Sequence, residues 1–223
     1  IILGIVIYVV TIVASKSNGF FFKFKSLLKL GALAVVVIGI LTSCLVQINA
    51  GHIGVQTLFG QVQGKVLFEG LNFINPLVEV NDMSIQTQNY TMSGSNDEGD
   101  KSGDDAIRVL SKDGLEVVID LTVLYRIIPS DAPKIYRDIG LNFQDKIIRP
   151  LARTSIRESA TYYDAISLFS ENREVFEQKI RVKLEEGFKK RGIILEQLLV
   201  RNINLPKSVK EAIERKITAV QES

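Results

Sequence analysis

Residues 113–127 read DGLEVVIDLTVLYRI, and what they form decides what kind of domain this is. Val117, Ile119, Leu121, Val123, Tyr125 and Ile127 recur at every second position. A period of two puts all of them on one face of an extended strand, whereas a helix would scatter them. Asp113-Gly114 in front of the run is a dipeptide that tolerates the positive φ of a tight hairpin, so a second strand is expected just upstream.

Downstream, helices take over at residue 130. Ser130 is expected to cap DAPKIYRDI, which ends at Gly140. Asn142 then caps a helix whose apolar stripe is Ile147, Ile148, Leu151, Ser155 and Ile156, with Pro150 expected to bend it. Ser170 opens a longer helix carrying Val175, Phe176, Ile180, Leu184 and Phe188 at spacings of three and four, closed by Arg191-Gly192. Its charges alternate, either as a solvated face or as an interface between subunits. A strand, IILEQLLVRNINL, follows at once. Pro206 begins a last helix with Val209, Ile213, Ile217 and Val220 on one stripe, the way a coiled coil begins.

Upstream of the hairpin, SGSNDEGDKSGDD (93–105) has no apolar residue and reads as a solvated loop. HIGVQTLFG is a half-buried strand with Ile53, Val55 and Thr57 on one side, closed by Gly60. FEGLNFINP places Gly70 and Pro76 as turn punctuation around Leu71, Phe73 and Ile74. Strands followed by helices make the fold class α+β, mostly antiparallel sheet with packed helices.

Residues 1–15 and 30–47 are apolar, and the segment between them, 16–29, carries Lys16, Lys23, Lys25 and Lys29 and no acid. A span of ~30 Å of hydrocarbon takes roughly 20 apolar residues, about 17 at the least. Residues 30–47 are therefore expected as a transmembrane helix and 1–15 as a truncated one. The bias that keeps basic loops cytoplasmic puts 16–29 inside and the remainder outside. ILTSC (40–44) also fits a lipoprotein signal, with Cys44 as the lipidated residue, against a plain membrane helix that carries a small cysteine. The domain proper is expected at 48–205 and the coiled-coil start at 206–223.

Several chemistries have little to stand on. The charge balance of +2 argues against nucleic acid. One cysteine makes no internal disulfide, and one histidine, His52, a few residues past the membrane segment, cannot build a His-based metal site. Asp97, Glu98, Asp100, Asp104 and Asp105 do not follow the order of an EF-hand loop. No catalytic residue, cofactor or metal is expected.

The order GVQTLFG, EGLNFINP, DGLEVVIDLTVLYRI, PKIYRDIG, IIRPLARTSIRESATYY, a charged helix and RGIILEQLLVRNINLP resembles the prohibitin group of the SPFH (Band 7) superfamily over about residues 46–223. The acidic loop is longer than that pattern needs, and the run 1–14 is additional to a single anchor. The resemblance implies a non-enzymatic scaffold that assembles with copies of itself or a close paralogue into a large membrane-seated ring or cage. It also implies a membrane-anchored AAA protease of the FtsH type as partner, in a bacterial inner membrane with the domain in the periplasm, or alternatively in the mitochondrial inner membrane. A smaller adaptor or inhibitor that binds such a protease directly is the competing expectation. Leu71, Phe73, Ile74 and Leu77 are expected to dip into the outer leaflet.

Overall fold

The computed structural model describes residues 25–95, 98–169, 171–206 and 209–211. The chain divides into two compact units, 1–82 and 83–223.

The first unit opens with helix α1, Lys25–Ser43, followed by strands β1 (Leu45–Ile48), β2 (His52–Leu58), β3 (Gln61–Leu67), β4 (Gly70–Phe73) and β5 (Val78–Ser84). The apolar run 30–47 is thus not one helix. The α-helix starts inside the segment read as a basic loop and stops at Ser43. Near its end the Thr42 hydroxyl bonds back to the carbonyls of Ile38 (2.9 Å) and Gly39 (3.1 Å). From Leu45 the pattern changes to a period of two, with Leu45 and Gln47 outward and Ile48 buried, which only a strand can satisfy. Among the described residues no helix is long and apolar enough to cross a membrane. The uncharged part of α1, from Leu30 on, rises only about 21 Å at ~1.5 Å per residue, against ~30 Å of hydrocarbon. The run 1–14, Lys16 and Lys23 lie outside the described residues.

Strands β1 and β4 form an antiparallel ribbon with Leu45 opposite Phe73 and Ile48 opposite Gly70. A second sheet has the order β3-β2-β5. Ile48, Leu67 and Ile74 form a buried cluster of this unit, with Val46, Val78 and Val80 packed against them.

The second unit is built on the stretch that opened the sequence reading. Strand β8 (Glu116–Ile127) pairs β9 (Ile193–Asn204) along one edge, and β6 (Gln88–Met92) and then β7 (Ile107–Leu110) along the other. The residues from Val117 to Ile127 that share one face are all fully buried. Met92 lies opposite Leu121 and Ile107 opposite Ile119, so β6 and β7 are two halves of one edge interrupted by residues 93–106. Gly114, at φ 77°, turns the β7–β8 hairpin as the Asp-Gly pair predicts.

Helices cover the buried face: α2 (Ala132–Asp138), α3 (Arg149–Ala160), α4 (Ala165–Phe169) and α5 (Arg173–Lys189). Phe176, Ile180, Leu184 and Phe188 of α5 are fully buried, and the Tyr125 ring meets Phe188 and Phe143 edge-on at 6.5 Å and 6.1 Å. Two helix starts differ from expectation. Ser130 lies inside a 3-10 turn, Pro129–Asp131, which Pro129 initiates, and it makes no capping bond. The stripe from residue 142 is a π-helical turn, Gln144–Ile148, that passes into α3 at Arg149. Pro150 then sits in the first turn of α3, where its missing N–H leaves no bond unmade, so a change of helical register replaces the expected bend. Ser170 lies outside the described residues, and α5 begins after Asn172.

Candidate functional site

The end of α1 is tied to the sheet next to it, since the Ile74 N–H donates to the Cys44 carbonyl at 2.7 Å. Directly opposed residues of an antiparallel pair share a face. The register therefore puts Leu45 with Phe73 and Gln47 with Leu71, all on the outward side of the ribbon. Leu71 is 70% exposed, Phe73 73% and Leu77 60%. Ile74 is not part of this surface: it is 7% exposed and belongs to the buried cluster of the unit. Its position follows from parity, because Leu71 and Phe73 point one way along the strand and Ile74 the other.

Phe59, whose place in GVQTLFG is part of the family resemblance, extends this apolar set. It is 86% exposed at the tip of the β2–β3 hairpin and has φ 49°, the left-handed region. A non-glycine residue there costs roughly 1–2 kcal/mol of backbone strain. The hairpin tip lies beside the start of β5, where the Thr57 hydroxyl reaches the Glu79 carbonyl at 3.4 Å. Phe59 and Leu77 are each two residues beyond this contact, and Leu77 is only three residues from Ile74, bonded to the end of α1. The helix exit, the hairpin tip and the β4–β5 turn thus each offer exposed apolar residues, Leu45 with Phe73 on one face, Phe59, and Leu77, which together are the apolar rim of this unit. Along α1 itself Leu33, Val37, Ile38, Ile40 and Leu41 are also exposed.

A second constellation lies in the acidic loop, and the expectation that this loop is solvated is corrected there. Asp105 is buried. Its carboxylate accepts from Arg149 Nε at 3.2 Å, from the second nitrogen of the same fork, and from Arg153 Nη2 at 2.6 Å; Arg153 also donates to the Asp105 carbonyl at 2.9 Å. Burial pushes the Asp105 carboxyl up, but the Arg149 hydrogen bonds and the Arg153 charge outweigh it and hold the group below the usual carboxylate range. Other loop acids are also engaged: Asp104 with Arg108, Glu98 with Arg201 at 3.0 Å, and Asp100 with the backbone of Thr91. Lys101 pairs with Asp145 at 2.7 Å. Asp97 lies outside the described residues. The loop is a strap bound down by charge, and among the described residues no group of acids, histidine and cysteine has the arrangement of a metal site.

The remaining candidates are dispersed. His52 bonds the Ala50 carbonyl at 3.3 Å and stands 3.9 Å from the Asp82 carboxylate, with no nucleophile beside it. The Cys44 thiol is buried. Lys25 and Lys29 lie in the first turns of α1. Val209 begins a helical turn with its N–H on the Pro206 carbonyl at 3.0 Å, while Ile213, Ile217 and Val220 lie outside the described residues.

Residues 46–223, from β1 onward, match the family described as SPFH domain / Band 7 family. The chain belongs to that family. Among its relatives, Prohibitin 1 of Mus musculus is 27% identical over 204 residues, covering 90% of this chain and 69% of the relative. Mitochondrial prohibitin complex protein 1 of Caenorhabditis elegans is 27% identical over 207 residues, 89% of this chain and 69% of its own. Prohibitin-7, mitochondrial, of Arabidopsis thaliana is 27% identical over 201 residues, 89% and 67% respectively. This is a prohibitin-group SPFH protein with the α+β architecture its strand and helix patterns indicate. The SPFH match begins at Val46, within β1, so Phe59, Phe73 and Leu77 of the apolar rim lie in the family domain, and Leu45 lies just before it.

Proposed function

We propose that this SPFH protein is a non-enzymatic scaffold seated on a membrane by α1, the segment before it and the apolar rim of its first unit. The observation that carries the proposal is the rim itself. Phe59, Phe73 and Leu77 stand exposed beside a helix whose own apolar residues are exposed, and a contiguous apolar area of that kind is covered by lipid or protein. Lysines on the N-terminal side of α1 hold that end of the helix at the headgroups, and the apolar rim at its exit adds to the apolar surface that α1 alone is too short to supply across the bilayer. The helix that begins at Pro206 continues as a coiled coil, through which copies assemble into a ring or cage around a membrane-anchored AAA protease of the FtsH type. Two relatives carry "mitochondrial" in their names, which favours an inner membrane of mitochondrial or bacterial kind as the site of action.

The chain contains no tryptophan, so single tryptophans report cleanly on depth. Phe59→Trp, Phe73→Trp and Leu77→Trp, each in the full chain reconstituted in vesicles with brominated lipid, are expected to be quenched at least about twofold more than Tyr162→Trp in the second unit. Equal quenching at all four positions would remove the rim from the bilayer.

A further inference from the structure

The sheet of the second unit has an outer rim in three stretches, and two of them are closed. Strand β9 carries two bulges against β8, and Arg173 Nη2 occupies the Val200 carbonyl at 2.9 Å. Bulges of that kind keep an edge from accepting another strand. Strand β6 is closed by the acidic strap: the Thr91 N–H donates to the Asp100 carboxylate, and the Asp100 N–H returns to the Thr91 carbonyl at 3.1 Å.

The third stretch, β7, is open. Ladder bonds alternate along an antiparallel pair. Thr91 spends both backbone groups on the strap, so its pairing with Thr122 carries no ladder bond, and counting along β8 in twos gives Val118 and Glu116 the same character. Their partners Arg108 and Leu110 therefore turn their N–H and C=O groups outward, and no hydrogen bond to those groups is made among the described residues. Along this edge runs an open groove of about 340 Å³, lined by Arg108, Val109, Leu110, Glu116, Arg157 and Thr161. Leu110 is exposed, and Arg157 makes no ion pair among the described residues, whereas Arg108 is bound to Asp104 and Glu116.

We propose that the β7 edge takes up an extended segment of a partner protein as an added strand, and that the segment alternates acidic and apolar residues. An added strand presents successive side chains to opposite faces. On one face they meet Arg157, whose guanidinium has no carboxylate partner among the described residues; on the other they meet Leu110, whose side chain is 60% exposed. A strand of β7's length pairs about four residues, so this is a short-motif site rather than an extended interface.

The probe is a blocked, fluorescein-labelled heptapeptide alternating Glu and Val, titrated with the full chain in detergent micelles and read by anisotropy. Saturable binding is expected, at least about tenfold weaker with Arg157→Glu, which alters an exposed side chain, and equally weakened when the peptide's alternate backbone nitrogens are methylated. Absence of saturable binding would overturn the proposal. So would binding that survives methylation, or equal affinity for a matched heptapeptide alternating Lys and Val. Displacement of bound probe as unlabelled chain is raised would instead assign the edge to a second copy and overturn the partner-segment assignment.

Discussion

Replacing Asp105 by Ala is expected to lower the unfolding free energy by about 2–3 kcal/mol, read from the urea midpoint of the full chain in detergent. The carboxylate is the shared acceptor of two guanidinium groups, and its removal leaves Arg149 and Arg153 side by side with only the charges of Asp145 and Asp104, to which neither is paired, to offset them. Breaking a fully buried pair by removing one partner costs roughly 3–5 kcal/mol. The two arginines retain 30% and 26% side-chain exposure, and the water that reaches them reduces the figure to the range stated. Asp105→Ala combined with Arg149→Met and Arg153→Met is expected to recover most of the loss, because no charge is then left unpaired. The same carboxylate sets a pH dependence. Its folded-state value lies below the ~3.9 of an unfolded aspartate, so its contribution is complete above that value and disappears as pH falls through the folded one. Below about pH 4 the wild-type midpoint should therefore fall more steeply than that of Asp105→Asn. Parallel slopes would show that another acid is responsible.

That ion cluster was invisible in the sequence for a physical reason. Acids among glycines and serines have the composition of a solvated loop, and the arginines that bury Asp105 lie 44 and 48 residues downstream, beyond the reach of any local pattern. The edge interruption that the loop creates was equally hidden, because it consists of a register: Met92 and Ile107 become neighbours on one line only when both are set against β8. The spine of the second unit, by contrast, was fully legible, since the alternation in 117–127 is a property of contiguous residues and survives any change of partners. Ile74 and Leu45 fall between these cases. Each sits in an apolar run without an internal marker, and strand parity separates Ile74 from Phe73 and β1 from α1 once the pleat is applied. Phe59 is legible as part of the opening strand of the family pattern but not as an exposed ring, because a phenylalanine beside a hairpin glycine is ordinary until its φ is seen.

Gly192→Ala should be among the most damaging single-methyl additions in this protein, and Gly114→Ala is its internal control. Both glycines have nearly the same left-handed backbone, φ 74° and φ 77°. An alanine forced there costs roughly 1–2 kcal/mol in either place. Their surroundings differ. A Cβ on Gly114 meets nothing within 4 Å, whereas one on Gly192 would stand 2.3 Å from Asp131 Cβ and 2.9 Å from its carboxylate. The Asp131 Cβ is fixed to the backbone of the 3-10 turn and cannot swing aside, so either that turn or the exit of α5 must move. The contact has a purpose: the Gly192 carbonyl accepts the Ile128 N–H at 2.9 Å, which joins the end of α5 to the end of β8 just where β9 begins its pairing. Gly192→Ala is therefore expected to cost about 3–4 kcal/mol, the strain of the control plus an overpacking cost of roughly 1–3 kcal/mol. Gly114→Ala should stay within the strain alone. Because the two variants share the backbone cost, the difference between their urea midpoints measures the clash. Addition of Asp131→Gly should narrow that difference, and a gap that stayed unchanged would mean that the close approach of α5 to the 3-10 turn is not what fixes this glycine.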